Sequence, residues 1–276
     1  MPNQDKIIGI YCLIDDMLKT INHREDSRRQ TSDSEILTTA IVAGMYFHGH
    51  IERAICFMRM TGLMPNMLGK SRFNRRVNSL LELLYGLFNR MAFTLKTITA
   101  ELEYVIDSFP IAVCDNMRIS RCRILKGDHW RGYTASMRRY FYGVKVQLVV
   151  TKGGIPVEFC FTPGSEADVK ALGKLPLDIA PEGILYGDAA YTDYQAEDDL
   201  WDAELVRLMP QRKKNSKRPD KPWITYLKEQ HRKRVETSIS GIKQLFPRKI
   251  HAVTIEGFLL KIILFIFAYT LNQLAT

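Results

Sequence analysis

Three acidic residues stand in contexts suited to metal-ion chemistry. Asp107 lies in Glu103-Tyr-Val-Ile-Asp-Ser-Phe-Pro110, Asp188 in Ile184-Leu-Tyr-Gly-Asp-Ala-Ala-Tyr191, and Glu236 in His231-Arg-Lys-Arg-Val-Glu-Thr-Ser-Ile-Ser240. The first two close apolar, strand-like runs. The third sits in a basic, helix-like run. Such a set can hold two divalent cations against a phosphodiester. Hard cations such as Mg²⁺ take oxygen ligands from a few carboxylates and leave the other positions to water and phosphate. Taken singly, each residue has a plainer reading: Asp107 as a turn residue before Ser108-Phe109-Pro110, Asp188 as a loop cap, Glu236 as a solvated helix charge. Gly187 would let backbone approach a metal or DNA closely.

Helical spacing places Arg232, Glu236, Ser240 and Lys243 on one face. A cation on either side of a carboxylate suits a metal flanked by phosphates, with Ser240 bonding a phosphate oxygen. The plainer alternative is ordinary charge pairing one turn apart.

These residues need a scaffold, and the periodicities describe one. Residues 1–98 read as all helix, with apolar positions at helical spacing from Lys6 to Ile21. Ser32-Asp-Ser-Glu35 fits a capping box that opens a helix toward Phe47. Ile51–Met60 is a short helix, and Ser71 starts a segment that runs into a long apolar helix from Val77 to about Lys96. Short helices, a turn, then Arg72, Asn74, Arg75 and Arg76 at a helix start suit a helix-turn-helix, in which Arg reads guanine and Asn adenine. A solvated helix start is the competing reading.

From 101 the pattern changes. Strands are expected over Glu103–Phe109, Tyr142–Thr151, Ile155–Phe161, Gly183–Tyr186 and Glu204–Met209. Helices are expected over 163–175, 192–201, 224–246 and 255–274. Ile111–Tyr140 reads as a long basic connection. The order is that of a ribonuclease H-like α/β fold, a mixed sheet flanked by helices, over 101–276. There the first strand is central and the fourth expected strand is its neighbour, so Asp107 and Asp188 converge. Convergence of like charges favours a cation.

Bulk properties point the same way. The 276 residues carry 46% hydrophobic and 25% charged side chains and a formal net charge of +9, which suggests a polyanionic partner. Basic clusters include Arg118/Arg121/Arg123/Lys126, Arg138/Arg139 and Arg212–Lys221, the last expected to track phosphates or to lack order without DNA. Tyr133, Tyr140, Trp130 and His129 interleave with cations, which suits distorted or single-stranded ends or else a small local core. Trp223 reads as a packing anchor or a base wedge, and Glu166 and Asp168 as helix caps. Five widely spaced cysteines imply a reduced, cytoplasmic setting, and Cys114/Cys122 lack zinc spacing. Residues 257–274 are apolar but carry Lys261, Asn272 and Gln273, which suits a buried helix better than a membrane anchor.

The whole set resembles the DDE transposases of bacterial insertion sequences, most nearly insertion-sequence family 982. The resemblance rests on Val105-Ile-Asp-Ser-Phe-Pro110, Cys114-Asp-Asn-Met-Arg-Ile-Ser-Arg-Cys-Arg-Ile124, Arg139-Tyr-Phe-Tyr-Gly-Val-Lys-Val146, Thr162-Pro-Gly-Ser-Glu-Ala-Asp168, Tyr186-Gly-Asp-Ala-Ala-Tyr191 and Arg232-x3-Glu236-x6-Lys243. It implies Asp107, Asp188 and Glu236 as catalytic ligands of two Mg²⁺ ions, for which Mn²⁺ can substitute. It implies an N-terminal helical DNA-binding region, and the residue patterns above mark Arg232, Lys243, Ser240, Arg72, Arg75, Arg76, Arg121 and Arg139 as expected DNA contacts. The partner implied is double-stranded DNA, as transposon ends and as target, with no membrane and at least a homodimer for pairing two ends. The family's signature Tyr is replaced by Glu229, with Tyr226 one turn away. Rival readings are a nuclease without strand transfer and an inactive DNA-binding regulator.

Overall fold

The switch from helical to strand periodicity is realised in the computed structural model, which describes residues 2–135 and 137–274. Helices α1 (Gln4–Thr20), α2 (Asp33–Phe47), α3 (Ile51–Met60), α4 (Lys70–Ser79) and α5 (Leu81–Thr99) come first. Then follow β1 (Glu103–Cys114), β2 (Arg131–Thr134), β3 (Arg139–Thr151), β4 (Pro156–Pro163), β5 (Ile184–Gly187), α6 (Tyr194–Glu204), β6 (Arg207–Pro210), α7 (Pro222–Leu245) and α8 (Ile255–Leu274). Two compact units emerge: Met1–Arg90 with Gly241–Thr276, and Met91–Ser240. That division follows a different line from the boundary at 98–101, because the segment after 240 groups with the N-terminal helices.

In the first unit the capping box forms as expected. Ser32 Oγ accepts from the Glu35 amide at 3.1 Å, and Glu35 Oε2 accepts from the Ser32 amide at 2.7 Å. α8 is the described helix long and apolar enough to cross a membrane. Its residues from Phe258 through Leu271 are nevertheless largely buried in protein, packed chiefly on α2, and Phe88 meets Phe267 edge to face at 5.6 Å. The long helix expected from Val77 to Lys96 is instead two helices. Asn78 and Ser79 turn their side chains onto the carbonyls of Asn74 and Arg76, and the Leu80 amide tightens onto Val77. Short polar side chains that compete for backbone end α4 there.

In the second unit the sheet order is β2-β3-β1-β5-β6, with β4 also on β3. β1 runs antiparallel to β3 and parallel to β5, and β5 parallel to β6. This mixed sheet is compatible with a ribonuclease H-like domain. Three expectations change. β1 does not stop at Phe109 but continues through Pro110, which pairs with Lys145 of β3. Proline has no N–H to give, and the parallel pairing with β5 already ends at Val105, so no ladder bond is lost on that side. The 111–140 connection contains the short strand β2. The helix expected over 163–175 is a 3-10 segment, Asp168–Lys174, flanked by Pro163 and Pro176.

A buried ion pair clamps the far side of this sheet. Lys96 Nζ donates to Glu158 Oε1 at 2.5 Å and to the Asp178 carbonyl at 3.0 Å. Glu158 also accepts the amides of Leu177 and Asp178. Removing one partner leaves the other charge buried, so Lys96→Met is expected to lower stability by about 3–5 kcal/mol. Adding Glu158→Leu to Lys96→Met should restore part of that loss. Urea unfolding of the two variants measures both effects.

Candidate active site

Asp107 and Asp188 are brought side by side by strand pairing. The parallel register joins Glu103 to Ile184, Tyr104 to Leu185 and Val105 to Tyr186. Asp107 and Asp188 each stand two residues beyond the last of these pairs, on strands spaced about 4.8 Å apart. Asp107 is therefore within β1, not at its end, while Asp188 follows β5 directly. Asp188 Oδ1 accepts from the Ala190 amide at 2.8 Å and caps the turn Ala189–Tyr191. Asp107 Oδ1 accepts from the Ser108 amide at 2.7 Å.

Burial pushes the Asp107 carboxyl up to about 6, with the charges of Asp188 and Glu236 adding to the rise. The Ser108 amide and Arg232 oppose it. The Asp188 carboxyl is raised too, first by burial and then by Asp168, against the Ala190 amide, Arg232 and Lys145. The neighbouring-strand carboxylate thus adds to the proton affinity of Asp107, while Asp168 does so for Asp188.

Glu236 arrives on α7, whose inner face is anchored three times. Lys228 Nζ donates to the Pro210 carbonyl at 2.8 Å, at the end of β6. His231 stacks on Tyr186 of β5, with ring centroids 4.1 Å apart and planes 8° from parallel. Burial holds the His231 ring below its ordinary pKa, in the neutral form that suits stacking. Ser238 Oγ donates to the Gly154 carbonyl at 2.6 Å, at the β3–β4 turn. Between these anchors Arg232 Nε donates to Glu236 Oε1 at 2.9 Å, and its Nη1 donates to Gln211 Oε1 at 3.2 Å. The Gln211 amide in turn bonds the Gly187 carbonyl. Arg232 therefore couples Glu236 to the strand end that carries Asp188.

Four residues join this cluster that sequence reasoning passed over or assigned elsewhere. Asp168 caps no helix. It accepts from Lys145 Nζ at 2.7 Å and from Gln147 Nε2 at 2.8 Å. Tyr191, fully buried, donates its hydroxyl to Gln147 Oε1 at 2.5 Å. Its phenol is held well above the usual range, first by burial and then by Asp168, Asp107 and Asp188. The signal available was Lys145 and Gln147, two polar side chains at alternate positions in the apolar middle of strand β3.

Other expected residues are placed as follows. A Cβ at Gly187 would meet Tyr191 Cδ2 at 3.2 Å and Ile106 Cγ2 at 3.3 Å, so the glycine makes room for protein, not for metal or DNA. Ser240 and Lys243 are exposed on α7, Lys243 in the stretch that belongs to the first unit. Arg121 and Arg139 are exposed in the second unit, and Arg72 and Arg75 on α4. Arg76 is 12% exposed and ion-paired with Asp33 and Glu25. Trp223 is 61% exposed and so is no packing anchor. The 211–222 loop is tied to α6: Arg212 grips Glu197 through two bonds of 2.6 Å, and Arg218 reaches Asp198 at 2.8 Å.

The donor set fits a hard divalent cation. Asp107, Asp188 and Glu236 each have one oxygen occupied by an amide or guanidinium. Among the described residues no protein donor reaches the second oxygen of any of the three. Charge neutralisation is also what the raised carboxyls of Asp107 and Asp188 lack. The three are spread more widely than a closed cage. Among the described residues, the trio with ligand atoms all within 4.8 Å is His23, Glu25 and Asp33. Its carboxylates are already bonded to Arg76 and Arg29, which argues for an ion-pair cluster there.

Residues 97–250, more than half of the chain, match the family model described as the transposase DDE domain. Neither the curated proteins nor the solved structures provide a match.

The raised Asp107 carboxyl has a pH consequence. A carboxyl whose pKa is higher folded than unfolded binds more protons in the folded state between roughly pH 4 and 6, so its ionisation removes stability as pH rises through that window. In EDTA, Asp107→Asn should therefore be more stable than wild type above pH 6, by about 2–3 kcal/mol. The two should converge below pH 4. Thermal unfolding across that range checks the sign.

Proposed function

Because the chain belongs to the transposase DDE-domain family, we propose that it is an insertion-sequence transposase of the family 982 group, cutting DNA at its element's ends and joining them to target DNA. The family reading makes a metal-dependent DNA-processing enzyme the premise. The observation that carries the residue assignment is the parallel pairing of β1 with β5, which sets Asp107 beside Asp188, with Glu236 coupled to both through Arg232.

In this reading Asp107, Asp188 and Glu236 hold the divalent ions, two Mg²⁺ by preference, through their oxygens not engaged by protein. Divalent ions held there would supply the charge that activates water and that stabilises a leaving 3′ oxygen. The chain's own residues do the remainder. Arg232 keeps Glu236 turned toward the strand ends and offers its guanidinium to a phosphate beside them. Lys145 gives Asp188 partial balance, outweighed by its own partner Asp168. The Ser108 and Ala190 amides fix the orientation of the two Asp carboxylates, so little reorganisation is needed when substrate arrives.

Exposed side chains supply DNA contacts: the Ser240 hydroxyl and Lys243 along α7, and Arg121 and Arg139 around the β2–β3 hairpin. On that hairpin Tyr133 and Tyr140, 54% and 58% exposed, pack against each other with Arg131 over the Tyr140 ring. An exposed aromatic pair with a guanidinium suits unstacked bases at a DNA end. In the first unit, α3 and α4 serve as the helix-turn-helix, with Arg72 and Arg75 presented to the duplex and Arg76 holding α4 through Asp33 and Glu25. Pairing of two ends calls for at least a dimer acting on DNA in the cytoplasm.

The test is a cleavage and joining assay with Mg²⁺ on duplexes carrying the ends that flank the gene. Wild type should cut and join. Asp188→Ala and Glu236→Ala should each lose several kcal/mol of charge stabilisation, roughly a thousandfold in rate. Equal activity in all three proteins would remove the catalytic assignment. Cutting without joining would select the nuclease reading.

A further inference from the structure

The first unit contains a cationic cleft that none of the assigned roles uses. It measures about 360 Å³ and is walled by the α2–α3 turn, the start of α4, the α7–α8 loop and α8. Lys70, Lys249 and Lys261 line it together with His48, His50 and His251, and Glu52 is the acidic residue among its walls. Lys70 is paired with that Glu52 at 2.9 Å.

Lys261 is the telling residue. It rises from α8, a helix otherwise apolar around this point, and burial lowers its ammonium pKa. Among the described residues no carboxylate pairs with it, and its hydrogen bond goes to the His251 carbonyl. A partly desolvated cation with only a neutral partner is costly unless an anion completes it. Of the histidines, His48 spends its N–H on the Leu245 carbonyl, which its Nδ1 faces at 3.3 Å, and His50 is left with a donor for a ligand. His50 Nδ1 accepts from the Arg53 amide, which puts that ring's proton on Nε2. Cations outnumber the one carboxylate, Glu52, in these walls, and with the His50 donor they match phosphate oxygens.

We propose that this cleft binds a backbone phosphate of duplex DNA, with Lys261 as its central ligand and Lys249 and His50 beside it. The site then anchors the duplex next to α4, whose Lys70 and Asn74 line the same cleft. This assignment rests on the DNA-processing reading but not on the carboxylate residues.

The experiment measures binding of wild type, Lys261→Met and Lys249→Gln to a fluorescent duplex carrying the element's end, in EDTA, over a KCl series. Loss of one phosphate contact should weaken binding by at least about fivefold and reduce the slope of log affinity against log salt by about 1. Thermal unfolding should show Lys261→Met folded and no less stable than wild type, since an uncompensated cation is removed. Lys249→Gln keeps the test decisive if the first variant does not fold. Unchanged affinity and slope in both variants, with wild type binding well, would overturn the cleft and leave the transposase reading standing. Absence of binding by wild type would remove both. Inorganic phosphate, added as a second probe, separates the sources. If it stabilises wild type but not Lys261→Met while duplex affinity is unaffected, the site belongs to free phosphate and the DNA assignment fails.

Discussion

Two carboxylates on adjacent parallel strands repel each other unless something positive stands between them, and that constraint organises the second unit. The β1–β5 register leaves Asp107 and Asp188 no freedom to separate, because it is set by apolar pairs deeper in the sheet. Their charge is balanced locally instead. The amides of Ser108 and Ala190, the guanidinium of Arg232 and the ammonium of Lys145 all act on one or both of them. Burial first, and the remaining repulsion second, raise both carboxyls, and an incoming cation would relieve both costs. A site built in this way suits a divalent cation, because the fold has already assembled the opposing charge.

α7 is the element that converts this strand pair into a three-carboxylate site. Its anchors fall at 228, 231 and 238, with Val235, Ile239 and Ile242 buried along the same side. Helical geometry then dictates that 232 and 236 flank that buried stripe. Arg232 is thus placed where one guanidinium can reach both Glu236 and Gln211. The stacking of His231 on Tyr186 is the most direct tie, since Tyr186 lies two residues before Asp188 on β5. Packing, charge balance and the candidate chemistry share the same few side chains here.

The first unit shows a different economy of charge. Asp33, buried at the start of α2, gathers Arg76, Arg29 and His23, so an arginine that could be offered to DNA is used to hold α4 in place. Neighbouring Arg72 and Arg75 remain exposed. Cations fixed by carboxylates and cations left facing solvent are therefore interleaved on one short helix. α8 is covered along its apolar length, and its Lys261 marks where that cover opens into the cationic cleft.

Much of this was legible in the amino-acid order. Helical spacing and the capping box located α1 to α3, the apolar run at 255–274 located α8 to its observed ends, and the strand runs around Asp107 and Asp188 were recognised, because periodicity and caps are local. The residue types that could hold a cation were legible for the same reason. What lay beyond reach was every feature decided by partners distant in the chain. β1 runs past Pro110 because β5 has already ended beside it. Asp168 leaves its expected cap because Lys145 and Gln147 of β3 reach it first. Gly187 is small because Tyr191 and Ile106 press on it. Arg76, Arg212 and Arg218 are consumed by carboxylates that sequence distance hides. Local order specifies which groups exist and which backbone they ride on. Which charges end up facing each other, and which remain for a ligand, is set only when the sheet pairs and α7 crosses it.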